Sequence, residues 1–453
     1  MGGMMRSRYR DTASRLTICV TLRLAIFLTL SLAASITAGE AAENSAVGVG
    51  NALANDTSGR SPLVLSAKNY ILARAGEIRD DKLRAATLDA IDNPQTCIRH
   101  RIGVDDAAKT RIMASLAAEG LVDPEDEAKF PGGLIAGVFP PVQEPGGACP
   151  MLPQTYNSAP GSSFGGHHSY PGGLPIHEAF NLSSAISLAE NYRRTYGHSN
   201  QSGLPEVMQV GAVAPTPQSA EIMIDQDIII AAPIWHDWAK TIVFQWTAGG
   251  SEFPELNFGG NGKTDSYGGA GDSKTGGHHL IGLAETIKRG LPPAFVVAQA
   301  SAHGAPTGTQ EYKVVNWIRT GAILAQVDPL AGGYLVKDDL GRLRLPPVRQ
   351  LGSVSIQKVL PNEPNLLVEY VLHNLSDADF TYTGPAVAEA QVLLRMLAQR
   401  FGYDMNDTAT FNIKFRNPVL STFSAERLQI IYAAKGIDGV AGEIEKLKRL
   451  GMI

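Results

Sequence analysis

Between Ile228 and Phe244 the chain runs almost without a break through apolar residues, yet His236, Asp237 and Lys240 sit inside that run. Such a stretch reads as a core helix, and it constrains the fold strongly, because an unpaired buried carboxylate is costly. Pro233 removes one backbone donor from it and predicts a kink just before the His-Asp pair. On a helix Lys240, four residues after the His and three after the Asp, projects from the same face. Adjacent His and Asp side chains can reach one metal ion. A divalent cation beside an ammonium makes a place for a phosphate or another anionic oxygen. The competing reading is a buried ion pair that crosslinks helices.

The histidine distribution favours the metal. Of ten histidines, His167, His168, His177, His198, His236, His278, His279 and His303 fall in one segment, leaving only His100 and His373 outside it. Asp328 follows, in a helical-looking apolar run that begins at Trp317. The order His, His-Asp, His, His, Asp is that of a one- or two-metal site assembled from several helices. His198, beside a Ser-Asn turn, reads as a surface residue and His373 as an ordinary polar one. Trp235, Trp238, Trp246 and Trp317 read as core packing rather than a base-stacking platform.

The stretch His167-His168-Ser169-Tyr170-Pro171-Gly172-Gly173-Leu174-Pro175-Ile176-His177 resembles the opening of the HD superfamily of metal-dependent phosphohydrolases. It is closest to the branch related to HD-type exoribonucleases, where His-His-x-Tyr-x-Gly-Gly-Leu leads into the helix bearing the first ligand. The resemblance spans residues 160–335. It implies His177 as first ligand, His236 and Asp237 as the pair, and Asp328 as the closing carboxylate. Gly277-His278-His279 and Ser301-Ala302-His303-Gly304 match the motifs of a second metal, with His279 and His303 as its ligands. Where relatives carry two adjacent histidines this chain has Ala302-His303, and the interval from Trp246 to His278 is long and Gly-rich. His167, His168 and His278 are expected to orient substrate or to support the ligands, and Asn181 to face substrate.

The implied chemistry is hydrolysis of a phosphomonoester or phosphodiester, a nucleotide among the candidates. One or two divalent ions (Mn, Fe, Ni, Zn, Co or Mg) would lower the pKa of a water. Asp237 would bridge them and Lys240 would stabilise charge on the phosphate oxygens. Two alternatives stay open: a di-iron oxygenase built on the same ligands, and a secreted metal-containing binding protein without turnover.

At 453 residues the chain is long for one domain, and its net charge of −5 shows no basic excess suited to a nucleic-acid partner. Arg6, Arg8, Arg10, Arg15 and Arg23 precede an uncharged run from Leu24 to Ala38, which reads as a secretory signal cleaved after Ala38 or Ala41. The run is short for a bilayer span, though an uncleaved anchor is the competing reading. An exported, periplasmic or extracellular protein follows, with no membrane span after cleavage and an oligomeric state the sequence does not specify. Cys97 and Cys149 are then the remaining cysteines, expected as one disulfide against the alternative of two unrelated thiols.

The expected organisation is a signal at 1–41, an N-terminal helical domain at 42–150 with a disordered start over the small polar stretch 42–60, an HD-like helical domain at 155–335, and a C-terminal α or α/β domain at 341–453. Helical patterns cover Leu63–Ile91, Asp105–Leu121, Ile176–Tyr196 and Ala386–Phe401, with another helix from Ser424. In Ile176–Tyr196, His177, Asn181 and Ser184 form a polar stripe beside an apolar face. Val354-Ser355-Ile356 is β-prone. The Gly-rich stretch 247–277 holds two P-loop-like pieces that follow no apolar strand, so a mobile loop beside the site is the better reading. The whole is mainly α.

Overall fold

Polar residues at the starts of apolar-periodic segments place the helices. Ser61 before Pro62, Asp80, Asp105 and Asp225 each cap a helix by accepting from its first free backbone N–H groups. The computed structural model describes residues 47–147, 149–204, 215–252, 254–260, 273–307, 310–347 and 367–453. The signal-like segment, the β-prone run at 354–356 and most of the P-loop-like pieces lie outside them.

The helices are α1 (Asn51–Gly59), α2 (Pro62–Ala75), α3 (Asp81–Asp92), α4 (Asp106–Ala118), α5 (Gly133–Val138), α6 (Gly173–Tyr196), α7 (Gln226–His236), α8 (Lys240–Val243), α9 (Gly277–Lys288), α10 (Pro293–Ala300), α11 (Glu311–Ala325), α12 (Val368–Ser376), α13 (Phe380–Ala398), α14 (Thr408–Phe411), α15 (Asn417–Phe423) and α16 (Ala425–Arg449). Strands among the described residues are two antiparallel pairs, β1 (Asn257–Phe258) with β2 (Thr275–Gly276) and β3 (Val336–Lys337) with β4 (Leu343–Arg344). The fold is mainly α, and the described part of the C-terminal segment beyond residue 366 is helical. No helix among the described residues is long and apolar enough to cross a membrane.

Val47–Ile453 forms one compact unit. One core runs through the expected breaks at 150–155 and 335–341: Ile98, Val138 and Leu152 share it with Trp235, Ile281, Leu345 and Tyr370. Within it α6 packs between α2 and α7, and α9 lies along α11. A second core gathers α13 to α16 around Leu394, Phe415 and Leu428, and Tyr170 reaches into it from the loop before α6. Trp235, Trp238 and Trp246 are buried; Trp235 Nε1 donates to Thr87 Oγ1 and Trp238 Nε1 to the Ala90 carbonyl. These are core tryptophans tied by their polar tips.

Asn51–Gly59, inside the stretch expected as a disordered start, is helical. Two further local expectations are corrected. The apolar run 228–244 is two helices, not one: the Asp237 N–H turns back to the Trp235 carbonyl, and α8 restarts at Lys240. The His-Asp pair therefore sits at a helix end. Second, α11 stops at Ala325 because Gln326 takes a left-handed conformation, φ 53°. Asp328 then lies exposed in a turn, its Oδ1 accepting from the Leu330 and Ala331 N–H groups. It is not part of the histidine cluster.

Candidate metal centre

The Gly-Gly pair before α6 has a physical reason. Gly172 has φ 83°, and a Cβ there would meet Val64 of α2 at 2.3 Å; a Cβ on Gly173 would meet the His168 carbonyl oxygen at 1.8 Å. Any larger residue would push α6 away from α2 or from the loop that carries His167 and His168. One turn into α6 stands His177, 1 % exposed, with Asn181 four residues on along the same face.

Four atoms converge where α6, α7 and the α12–α13 turn meet. His177 Nε2 lies 3.1 Å from Asp237 Oδ2 and 3.1 Å from Asp377 Oδ1. His236 Nε2 lies 3.4 Å and 3.2 Å from the same two oxygens. Neither ring nitrogen makes a hydrogen bond there, though both are buried. Each ring is fixed from behind instead. His236 Nδ1 donates to the Pro233 carbonyl at 2.8 Å, and His177 Nδ1 lies 3.1 Å from Asp379 Oδ1. Asn181 Nδ2 donates to Asp377 Oδ1 at 3.2 Å while Ser376 Oγ donates to Asn181 Oδ1, so Asn181 orients the carboxylate rather than a substrate.

A second set lies on the other oxygen of Asp237. His278 Nε2 is 3.0 Å from Asp237 Oδ1, and its Nδ1 is paired with Glu255 Oε1 at 2.5 Å. His303 has its Nδ1 on Thr275 Oγ1 at 2.7 Å and its ring 5.2 Å from that of His278. The ligand atoms of His177, His236 and Asp237, and those of Asp237, His278 and His303, each fall within 4.8 Å of one another. The first of these groups is wholly buried and the second, which shares Asp237 with it, includes the exposed His303; His168, His177 and Asp379 make a third buried group able to hold a metal ion. His279, expected as a ligand, is stacked behind His303 at 4.4 Å and stands edge-on to Trp317. His278 takes the position assigned to it, because at the start of α9 the ring of His278 is the one turned toward Asp237. His373, read as an ordinary polar residue, is buried at the centre: its Nδ1 donates to the Ala298 carbonyl, its Nε2 has no hydrogen-bond partner, and its ring is 5.0 Å from His236.

The charges follow from this crowding. Burial opposes ionisation of Asp237 and Asp377, but His236 and its neighbours hold both carboxyls well below the usual range. Burial would lower the imidazoles, yet Asp379, Asp237 and Asp377 raise His177 well above its ordinary value, and Asp237, Asp377 and Glu178 bring His236 to about 9. Burial and the charged His236 drive His373 down to about 3. Glu178 behind the site is pushed up to about 8 by burial. Carboxylates thus draw cations, here protons, onto the converging nitrogens.

Lys240 Nζ contacts Asp237 Oδ2 and the Gly161 carbonyl and is 3 % exposed. A cavity of about 500 Å³ opens over the set, lined among others by Ser162, His167, Lys240, Phe244 and Asp377. His167, whose pKa burial and Lys240 lower to about 2, tilts over His177 at 5.1 Å. His168 is turned away, its Nε2 on Asp379 Oδ2 at 3.1 Å and its Nδ1 on the Tyr170 hydroxyl at 2.9 Å. Asp377, Asp379, Glu255 and His373 were not singled out from the sequence, and their only signal there is residue type. Cys97 and Cys149 form a disulfide, Cα atoms 5.5 Å apart. No known protein family, no curated protein and no solved structure matches the chain.

Proposed function

We propose that the protein is an exported metal-dependent phosphohydrolase that hydrolyses a small phosphate ester in the cavity above Asp237. The observation that carries the reading is the convergence of His177 Nε2 and His236 Nε2 on Asp237 Oδ2 and Asp377 Oδ1, each nitrogen 3.1 to 3.4 Å from both oxygens and neither making a hydrogen bond to them. Ligand atoms about 2.1 Å from one ion stand about 3.0 Å apart at octahedral angles and about 3.4 Å apart at tetrahedral ones. These four residues would hold one divalent cation, and Asp237, His278 and His303 a second. Bound there, such cations supply Lewis acidity toward a phosphoryl oxygen and lower the pKa of a water.

The chain's own residues do the rest. The Pro233 carbonyl, Glu255 and Thr275 hold the outer ring nitrogens of His236, His278 and His303, so the inner nitrogens stay directed at the site. Lys240 uses two hydrogen bonds on Asp237 and Gly161; its third donor is free for an anionic oxygen in the cavity it lines. His167, kept neutral, adds a hydrogen bond without competing for the cation. Phe244, Leu375 and Phe380 complete a wall of a cavity sized for a small molecule. A disulfide agrees with an oxidising compartment and hence with the signal-like N-terminus.

The test is elemental analysis of purified protein combined with a panel of phosphomonoesters and phosphodiesters. Stoichiometric metal with turnover of at least one ester supports the reading. Fully loaded protein that turns over none of them overturns it; iron with oxygen consumption would place the site among oxygenases, and metal without either activity would leave a binding protein.

A further inference from the structure

We propose that a second cavity, between α6, the α12–α13 turn and the start of α16, is a ligand site for a small organic cation, a primary ammonium carried on an apolar body. It measures about 550 Å³ and is distinct from the cavity above Asp237. The turn between α12 and α13 separates the two: Asp377 lines one and Asp379 the other.

The chemistry of the walls selects the ligand. Thr383 is 5 % exposed and lines the cavity, yet its hydroxyl has no hydrogen-bond partner. A helical threonine commonly returns its hydroxyl to a carbonyl of the preceding turn, as Thr320 and Thr422 do here. Glu426 lines the same space with a side chain 17 % exposed; its Oε1 is without a hydrogen-bond partner and stands 3.7 Å from His168 Nδ1. Asp379 on the opposite wall is already engaged by His168 and His177. Carboxylate oxygens only accept hydrogen bonds, so the occupant must bring donors, and buried acceptors left unmet are costly. An ammonium brings three donors and the opposite charge.

The rim supplies the apolar complement. Phe180 and Tyr382, 56 % and 47 % exposed, face the opening with Ile176 and Leu375. Aromatic faces beside an ammonium add cation–π attraction. His168, His177 and Asp379 could hold a bare divalent ion, but such an ion would leave this aromatic rim without a role. Two of the three non-glycine residues with positive φ among the described residues, His168 at 49° and Ser424 at 59°, line this cavity. Such backbone is strained and tends to collect at ligand sites.

The experiment is calorimetric titration of metal-loaded full-length protein with benzylamine and with benzyl alcohol, its neutral counterpart. Benzylamine is expected to saturate one site and benzyl alcohol to bind at least about tenfold more weakly, the loss of a charge-assisted hydrogen bond. Glu426→Gln should weaken benzylamine about tenfold and Thr383→Val about fivefold, with metal content and unfolding temperature near wild type. The proposal fails if benzylamine gives no saturable binding, if benzyl alcohol binds equally well, or if neither variant changes the affinity. It fails equally if wild type takes up a third equivalent of Mn2+ that Glu426→Gln lacks. Because wild type alone decides between amine and alcohol, a variant that does not fold leaves the test intact.

Discussion

Asp377 acquires its place from a turn between two helices, and such a turn leaves no periodic mark in a sequence. The reading that chose Asp328 followed the end of an apolar run, which is where family resemblance puts a closing carboxylate. One left-handed residue, Gln326, turns that run's end outward instead. The pair makes a test. Asp377→Asn is expected to weaken metal binding by at least about tenfold, since even residues that only orient ligands commonly matter that much; Asp328→Asn should leave metal content unchanged. Elemental analysis of both variants decides it. Lys240 was read as a stabiliser of charge on the phosphate oxygens, and in the structure it also contacts Asp237 Oδ2. Lys240→Met should cost on the order of 100-fold in rate while metal is retained, because deleting a charge stabiliser in a water-poor site has that scale. Steady-state rates at saturating metal check this, and an unchanged rate would remove the lysine from the mechanism.

At the scale of elements, helices were legible because their periodic faces and caps are local. Asp105 caps α4 and Ser424 caps α16, each at the start of a helical pattern read from the sequence. Position 233 was legible as a disturbance but not as the end of a helix, since that depends on which carbonyl the Asp237 N–H finds. Also illegible was the network that seats α9, and with it His278. Glu285 on α9 accepts from the Arg99 and His100 N–H groups, from His100 Nδ1 at 2.8 Å and from Arg289 Nε at 2.7 Å. Burial works against the Glu285 carboxylate, yet His100 and Arg289 hold its pKa at about 2. The folded value is below the unfolded one near 4.5, so the stabilisation is complete above pH 4.5 and is lost as pH falls toward 2. Burial lowers His100 as well, which acts in the same direction below its ordinary value. Glu285→Gln is therefore expected to cost roughly 3–5 kcal/mol at neutral pH, as breaking a buried pair does. It should also flatten the acid limb of a stability–pH profile measured by denaturant unfolding.

Over the whole molecule, two cores meet beside the candidate metal centre: His177 stands on a helix of the first, and Asp379 begins a helix of the second. Segmental breaks read from composition did not foresee this, because proline- and glycine-rich stretches here run across a shared core rather than between separate ones. One long-range link the sequence specified was the cysteine pair. Closing a loop of separation 52 should contribute about 4 kcal/mol on the chain-entropy view. The Cys97→Ala, Cys149→Ala double variant should lower the unfolding temperature accordingly. Metal removal is the sharper test of the whole. A cation that binds only the folded chain stabilises it by about 2.7 kcal/mol at 100 times its dissociation constant, so chelation should lower the unfolding temperature and added metal should restore it. The size of this difference must depend on pH. Without metal, protons on His177 and His236 balance the carboxylates, and the His236 pKa of about 9 lies above its ordinary value. Its contribution is complete below pH 6.5 and is lost as pH rises through 9. Metal competes with those protons, so metal-induced stabilisation should grow from pH 6 to pH 9 while the chelated protein weakens. Thermal unfolding with and without chelator across that range measures it, and Asp377→Asn should narrow the gap at every pH. A gap that is the same at pH 6 and pH 9 would mean that the metal binds without displacing the histidine protons, somewhere other than this cluster.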